Sequence, residues 1–422
     1  MLQSMNTKGD ELHGLDAKNM TLRPGLAAFP LDDELVVFSE ESQSLIGLNN
    51  SAAFIFAKLQ EGTAPRDLAA VLTAGGFVDG GEADAWVRTT LTAFDGQGLL
   101  KDSDPPAAPL PERNDRAEKD RASMPPLVPF TPQAEGRYSL LGTDAVIRYG
   151  HLSQKRMVDA VIGHFASRDE ARAPTLTIDV TAEKLENGHL SSGIYCDGNP
   201  ERRAPRLSAL GPLIKAALWA SAINAFDFIL DLHAGVVGEG GRCVLLPAAA
   251  GSGKSSLTAA LTHAGLGYYS DEVALIERSS FRVFPVPLAV CVKSTGWELM
   301  SRFFSELPAL PIHRRNDGKL VRYVPPRAVQ NEPARVSHIF FPLYCKDAPT
   351  QLIPVPRSNA LARLMDQCLA LRLRLDQDNV KKLVDWIGEI DCYALTFSSL
   401  DEAVDLVQRT AFPGLRKKAT SR

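Results

Sequence analysis

The chain has 422 residues, 45% of them apolar and 23% charged, which excludes wholesale disorder and a fibrous repeat and leaves room for two or three domains. Forty-six Lys+Arg against 50 Asp+Glu give a net charge of -4, which excludes the broad basic footprint of a general nucleic-acid binder. No apolar run approaches the roughly 18 residues of a membrane span. Residues 1–18 are polar, without a signal-peptide core, and the six cysteines form no CxxC pair. These features predict a cytoplasmic protein with reduced thiols, partnered by neither membrane nor nucleic acid.

Glu34–Ser39 reads as a strand and Ser44–Leu48 as a second. Asn49, Asn50 and Ser51 offer caps for a helix over 52–59, with Phe54, Ile55 and Leu59 on one face. Pro65 opens another helix through Leu72, and a third runs over about 82–97. Eight of the 28 prolines then fall within 102–133, around the charged stretch 112–121. Proline removes backbone donors and the charges have little to bury, so this stretch reads as a semi-extended linker. Beyond it, 139–149 and Leu176–Val180 read as strands, and 154–164 and 211–228 as helices. A basic, proline-punctuated loop over 311–327 and a strand over 338–343 follow, then helical segments near 359–373, 378–390 and Leu400–Ala411. The order is mixed α/β.

The informative stretch is 232–277. The apolar strand 242–246 runs into Pro-Ala-Ala-Ala-Gly-Ser-Gly-Lys-Ser-Ser (247–256), and a helix over 257–264 follows. This is the P-loop order, with Ala248 where the first glycine usually stands. Small residues at Gly251, Ser252 and Gly253 let backbone N–H groups wrap a phosphate, and the helix presents its positive end at Ser255 and Ser256. Lys254 is positioned to reach the β/γ-phosphates of ATP and the Ser255 hydroxyl to ligate Mg²⁺. Ala248 is tolerable there provided that it takes a negative φ.

Seventeen residues after Lys254 stands Asp271, followed by Glu272 and an apolar strand. Paired carboxylates so placed can hold Mg²⁺ and accept a proton from an attacking hydroxyl. His233 stands 21 residues before Lys254.

His-x-x-x-Val before a strand, a P-loop and an acidic pair this close behind it resemble the catalytic domain of HPr kinase/phosphorylase, a protein-serine kinase related in fold to phosphoenolpyruvate carboxykinase. Over 138–408 the resemblance is concentrated in 232–277, where His233, Gly253, Lys254, Ser255 and Asp271 match, and Glu272 replaces a second aspartate. It implies a mixed-sheet P-loop kinase domain over 136–412 and catalytic roles for Asp271, Glu272, His233 and Lys254. It further implies ATP held by Ala248, Gly251, Ser252, Gly253, Lys254, Ser255 and Ser256, and Mg²⁺ held by Ser255, Asp271 and Glu272. The family's arginine-bearing loop has no clean counterpart; Lys293, Arg314, Arg315, Lys319 and Arg322 are candidates for its phosphate contact.

Residues 29–100, with Leu-Asn-Asn-Ser-Ala-Ala-Phe (48–54), resemble PqqD-like domains, small winged-helix-like modules that bind leader peptides of ribosomally made natural products. The resemblance implies a peptide-recognition domain over 26–102, a linker over 103–135 and a peptide partner captured as an added strand. A homo-oligomer is left open.

Three functions fit these residues. The chain is a kinase acting on a serine-type hydroxyl of a captured precursor peptide, an ATP-binding or ATP-hydrolysing scaffold that presents the peptide to partner enzymes, or a small-molecule kinase with an unrelated accessory domain. The acidic pair beside the P-loop favours the first.

Overall fold

The computed structural model describes residues 20–77, 79, 81–103, 121–169, 171–186 and 188–414. The chain divides into two compact units, Met1–Pro111 with Pro354–Cys392, and Glu112–Ile353 with Tyr393–Arg422.

In the first unit the strands Leu26–Leu31, Glu34–Ser39 and Ser44–Leu48 pair antiparallel in that order. Helix Asn50–Gln60 begins where the Asn49 side chain accepts the Ala52 N–H at 3.0 Å, the cap its residue type predicts. Strand alternation sends Val37, Ile46 and Leu48 to one face, where they pack with Ile55, Phe56, Leu72, Leu91 and Phe94 of the helices. Val36 and Phe38 alternate with these and are buried too. Both faces of the sheet are therefore covered.

The second cover comes from helices Arg357–Asp366 and Gln377–Gly388. Arg357 pairs with Asp32 at 2.7 Å, and Gln43 bonds both the N–H and the C=O of Leu375, at 2.8 and 3.0 Å. A side chain at Gly47 would meet Ser358 at 3.1 Å. The sequence predicts one domain over 136–412 that includes these residues; by their contacts they group instead with the N-terminal segment. The helix expected over 359–373 stops at Asp366 and gives way to the strand Cys368–Leu371. Removing residues 1–103 is expected to strip these helices of the sheet they cover and make the chain aggregate. A truncated chain that stays monomeric and melts in one transition would overturn this.

Of the proline-rich stretch, 104–120 lies outside the described residues. From Arg121 onward it packs within the second unit: Met124 is buried and the Tyr195 hydroxyl donates to the Pro125 carbonyl at 3.2 Å. The single strand read over 139–149 is a hairpin, Ala134–Leu140 with Thr143–Tyr149, because Leu141 and Gly142 turn with positive φ of 50° and 80°. Leu176–Val180 pairs parallel to its second arm, and Leu190–Cys196 and Asn199–Ala204 extend the sheet. Helices Leu152–Ile162 and Leu207–Ala225 pack together and against these strands.

A second sheet runs in the order Gly267–Ser270, Ala234–Glu239, Arg242–Pro247, Arg335–Tyr344, Asp391–Phe397, Gln351–Pro354. Ala234–Glu239 and Arg242–Pro247 are joined through Gly240 and Gly241, both at positive φ, and Arg242–Pro247 lies parallel to Arg335–Tyr344, so the sheet is mixed. Leu257 and Leu261 of helix Lys254–His263 and Val407 and Ala411 of helix Leu400–Ala411 pack with Val244, Leu246 and Phe340. The 311–327 stretch, expected as a loop, supplies His313–Arg314 and Leu320–Val324, which pair with each other, the latter also with Val290–Lys293. No helix among the described residues is long and apolar enough to cross a membrane.

Candidate functional site

Arg242–Pro247 ends at the 248–253 turn, and helix Lys254–His263 begins directly after it. Two positions in the turn demand glycine, with φ of 95° at Gly251 and 88° at Gly253. Ala248 is absent from the positive-φ residues, so its extra methyl is tolerated. The two glycines differ in their surroundings. A Cβ at Gly251 meets nothing, whereas one at Gly253 would lie 2.8 Å from Phe397 and 3.2 Å from the Tyr344 Cβ. Gly251→Ala is expected to lose the roughly 1–2 kcal/mol of left-handed strain alone. Gly253→Ala adds a clash, so its melting temperature should fall further; equal melting temperatures would overturn that reading. The Tyr344 N–H also bonds the Ser252 carbonyl at 2.9 Å, tying the turn to the neighbouring strand.

The turn opens onto a cavity of about 520 Å³. Gly251, Ser252, Gly253, Lys254, Ser255 and Ser256 line it, together with His233, Asp271 and Glu272; Ala248 does not. Residues spread over 40 positions of the chain thus meet in one concavity. Strand Ala234–Glu239 pairs with both Arg242–Pro247 and Gly267–Ser270, and this brings His233 and Asp271, each just outside its strand, to the end of the sheet where the turn lies.

Lys254 is only 7% exposed, and its Nζ donates to the Asp271 carbonyl while lying 4.0 Å from Asp271 Oδ1. Asp271 is 5% exposed and its Oδ1 has no hydrogen-bond partner. Burial raises its pKa; the Lys254 charge and the Ser255 hydroxyl oppose the rise. Ser252 Oγ is likewise buried without a partner. Unsatisfied buried oxygens are costly, and here they belong to residues that line a ligand-sized cavity.

Glu272 behaves differently. Burial would raise its pKa, but the Lys215 ammonium, bonded to its Oε2, outweighs this together with Lys254 and Arg315, and the carboxyl is held below its usual range. His233 Nδ1 lies 3.1 Å from the Glu272 carbonyl oxygen. Burial, then the Lys254 charge, lowers the His233 pKa, so the ring is neutral near pH 7. Nδ1–H then donates to that carbonyl, leaving Nε2 a free lone pair.

Two contributors were missed in the sequence although a signal existed for each. Lys215 is the sole charged residue of the 19-residue helix Leu207–Ala225, and Asp231 the sole charge in the strand Phe-Ile-Leu-Asp-Leu (228–232). An isolated charge in an apolar element must find a partner or change its ionisation. Lys215 found Glu272. Asp231 is 2% exposed with Oδ1 unpartnered, and burial, then the Glu272 charge, pushes its pKa up to about 7. Its unfolded value is about 3.9, so between these pH values the native chain keeps a proton that the unfolded chain has lost. Stability therefore falls as pH rises from about 4 to about 7, by about 1.4 kcal/mol per unit, and levels off above. Asp231→Asn should flatten this slope of the urea midpoint against pH; an unchanged slope would count against it.

Among the five basic candidates, Lys293 and Arg315 line the cavity. The other three are engaged elsewhere: Arg314 bonds the Gly318 carbonyl at 3.1 Å, Lys319 pairs with Asp317 at 3.3 Å, and Arg322 bonds the Leu307 carbonyl while lying over the Trp297 ring. Among the described residues no group of three or more His, Cys, Asp or Glu is placed to hold a metal ion by itself.

No protein-family model matches the sequence, and no curated protein matches it. Among solved structures, TbiB1 in complex with the TbiA(beta) leader peptide is matched at 24% identity over 20% of this chain and 99% of that one, with a TM-score of 0.19. A likeness at that level leaves function to be argued from this chain's own residues.

Proposed function

We propose that the chain is an ATP-dependent kinase that phosphorylates a serine-type hydroxyl of a peptide or protein, in particular a ribosomally made precursor peptide. The observation that carries this reading is the meeting, in one cavity, of the glycine turn and helix start at 251–256 with Lys254 and the buried, half-satisfied Asp271. A binding site alone has no use for a buried carboxylate with an unbonded oxygen beside the phosphate-holding lysine; phosphoryl transfer does.

On this reading the turn amides and Lys254 hold the nucleotide's phosphates, with Lys254 turning from the Asp271 carbonyl to do so. Asp271 orients the acceptor hydroxyl and takes its proton as the oxygen bonds to the γ-phosphorus and the bond to the ADP oxygen breaks. When bound, Mg²⁺ would supply charge neutralisation at the transferring phosphate. Ser255 and Asp271 fit that ion, since Mg²⁺ commonly takes one or two protein oxygens beside phosphate and water. Glu272, committed to Lys215, fits a supporting role: it fixes His233 through its carbonyl and balances the lysine charge.

Peptide capture is proposed for the first unit. Its support is the PqqD-like sequence pattern together with Ser44–Leu48, an edge strand of its sheet, the geometry that strand addition uses. The test is incubation of the full chain with ATP, Mg²⁺ and the peptide encoded beside it, read by mass. A peptide heavier by one phosphate supports the kinase. Unchanged peptide with ADP formed overturns it in favour of a presenting scaffold.

A further inference from the structure

The charged side chains lining the cavity have partners in this structure, with one exception. Lys254 is engaged with Asp271, Glu272 with Lys215, Arg302 lies 3.8 Å from Asp401, and Arg315 lies 3.6 Å from Asp317. The Lys293 side chain has no hydrogen bond or ion pair among the described residues. It closes the strand Val290–Lys293, two positions after Cys291, so both side chains leave the strand on the same side. Cys291 Sγ is in turn the atom that an Arg315 amino group approaches, at 4.0 Å. Two cations therefore stand on one wall, in the same cavity as His233, Asp271 and Glu272. The Lys293 charge is near enough to His233 to contribute to the lowering of its pKa.

We propose that Lys293, with Arg315 beside it, is an acceptor-side subsite for a carboxylate, so that the preferred acceptor is a hydroxyl neighboured by a carboxylate group of the peptide. This rests on the kinase reading and adds the substrate class to it. The turn amides and Lys254 already answer the nucleotide's phosphates, while nothing among the described residues answers the Lys293 side chain. A solvated lysine gains little from a distant anion. An ammonium on the wall of a concave, partly dry site gains a charge-assisted bond from an anion delivered to it. Such a bond contributes enough to discriminate a carboxylate from its amide twin by about tenfold in affinity.

The test measures binding, so it does not depend on turnover. Labelled seryl peptides are titrated into the full chain with Mg²⁺ and a non-hydrolysable ATP analogue. The peptides carry Asp or Glu beside the serine, or Asn or Gln in its place, or a free or amidated C-terminus next to it. The wild type should bind one carboxylate form about tenfold more tightly than its amide, and the arm that shows it names the source, side chain or chain terminus. Lys293→Met should erase that preference with the analogue's affinity unchanged within about twofold, and Lys293→Glu should transfer it to a lysine-flanked peptide. A wild type without preference overturns the proposal. So does a Lys293→Met variant that loses the ATP analogue in step with the peptide, since Lys293 would then serve the nucleotide. A carboxylate preference without phosphate transfer would keep the subsite and sink only the kinase.

Discussion

Lys254→Ala is expected to slow phosphoryl transfer by a factor of about 10² to 10³, the loss of about 2.7–4 kcal/mol typical of one preorganised group at developing charge. Two effects combine. The ammonium no longer meets the phosphates, and Asp271, 4.0 Å away and nearly buried, loses its main compensating charge. Burial then raises the Asp271 pKa further, opposed by the hydroxyls of Ser255 and Thr258 but no longer by the lysine charge, which disfavours the ionised form a base requires. Lys254→Met, which keeps the side-chain volume, separates this from a packing loss, and it should fail as the alanine variant does. Turnover near wild type in either variant, measured at saturating ATP and peptide, would remove Lys254 from the proposed role.

Asp271→Asn is expected to reduce turnover by about 10² to 10⁴, the usual span for a positioned general base, while ATP affinity changes little. The substitution keeps the shape and the contact with the loop and removes the proton acceptor. The pH dependence supplies an independent signature. A base acts when ionised, so the wild-type rate should fall as pH drops through a pKa above the ordinary carboxylate range, raised there by burial. That acid limb should vanish in the asparagine variant. A variant that loses nucleotide binding but keeps its turnover at saturation would instead place Asp271 on the nucleotide.

Much of the candidate site was legible in the sequence because its chemistry is local. Glycines at 251 and 253, a lysine at a helix start and a strand before them follow from one short stretch, and the φ values of 95° and 88° are what those residue types imply. The acidic pair was legible for the same reason, being only 17 residues on. The different surroundings of Asp271 and Glu272 were not. They arise from Lys215, 57 positions from Glu272, whose helix packs where only the tertiary fold carries it.

The sequence by itself determined the mixed α/β class, the strand–turn–helix at 242–263, the capped helix after Asn49 and the candidate residues that share the cavity. These follow from periodicity, capping and left-handed glycine, which act over a few residues. Only the tertiary structure decided which basic residues face the cavity, that the 311–327 stretch contributes two short strands, and that Pro354–Cys392 covers the second face of the N-terminal sheet. Val36 and Phe38 announce a face that needs covering, but many apolar helices could cover it. Burial of apolar area is non-directional, so local pattern states that a face will be buried without naming its partner; pairing across more than 300 residues is settled by packing alone.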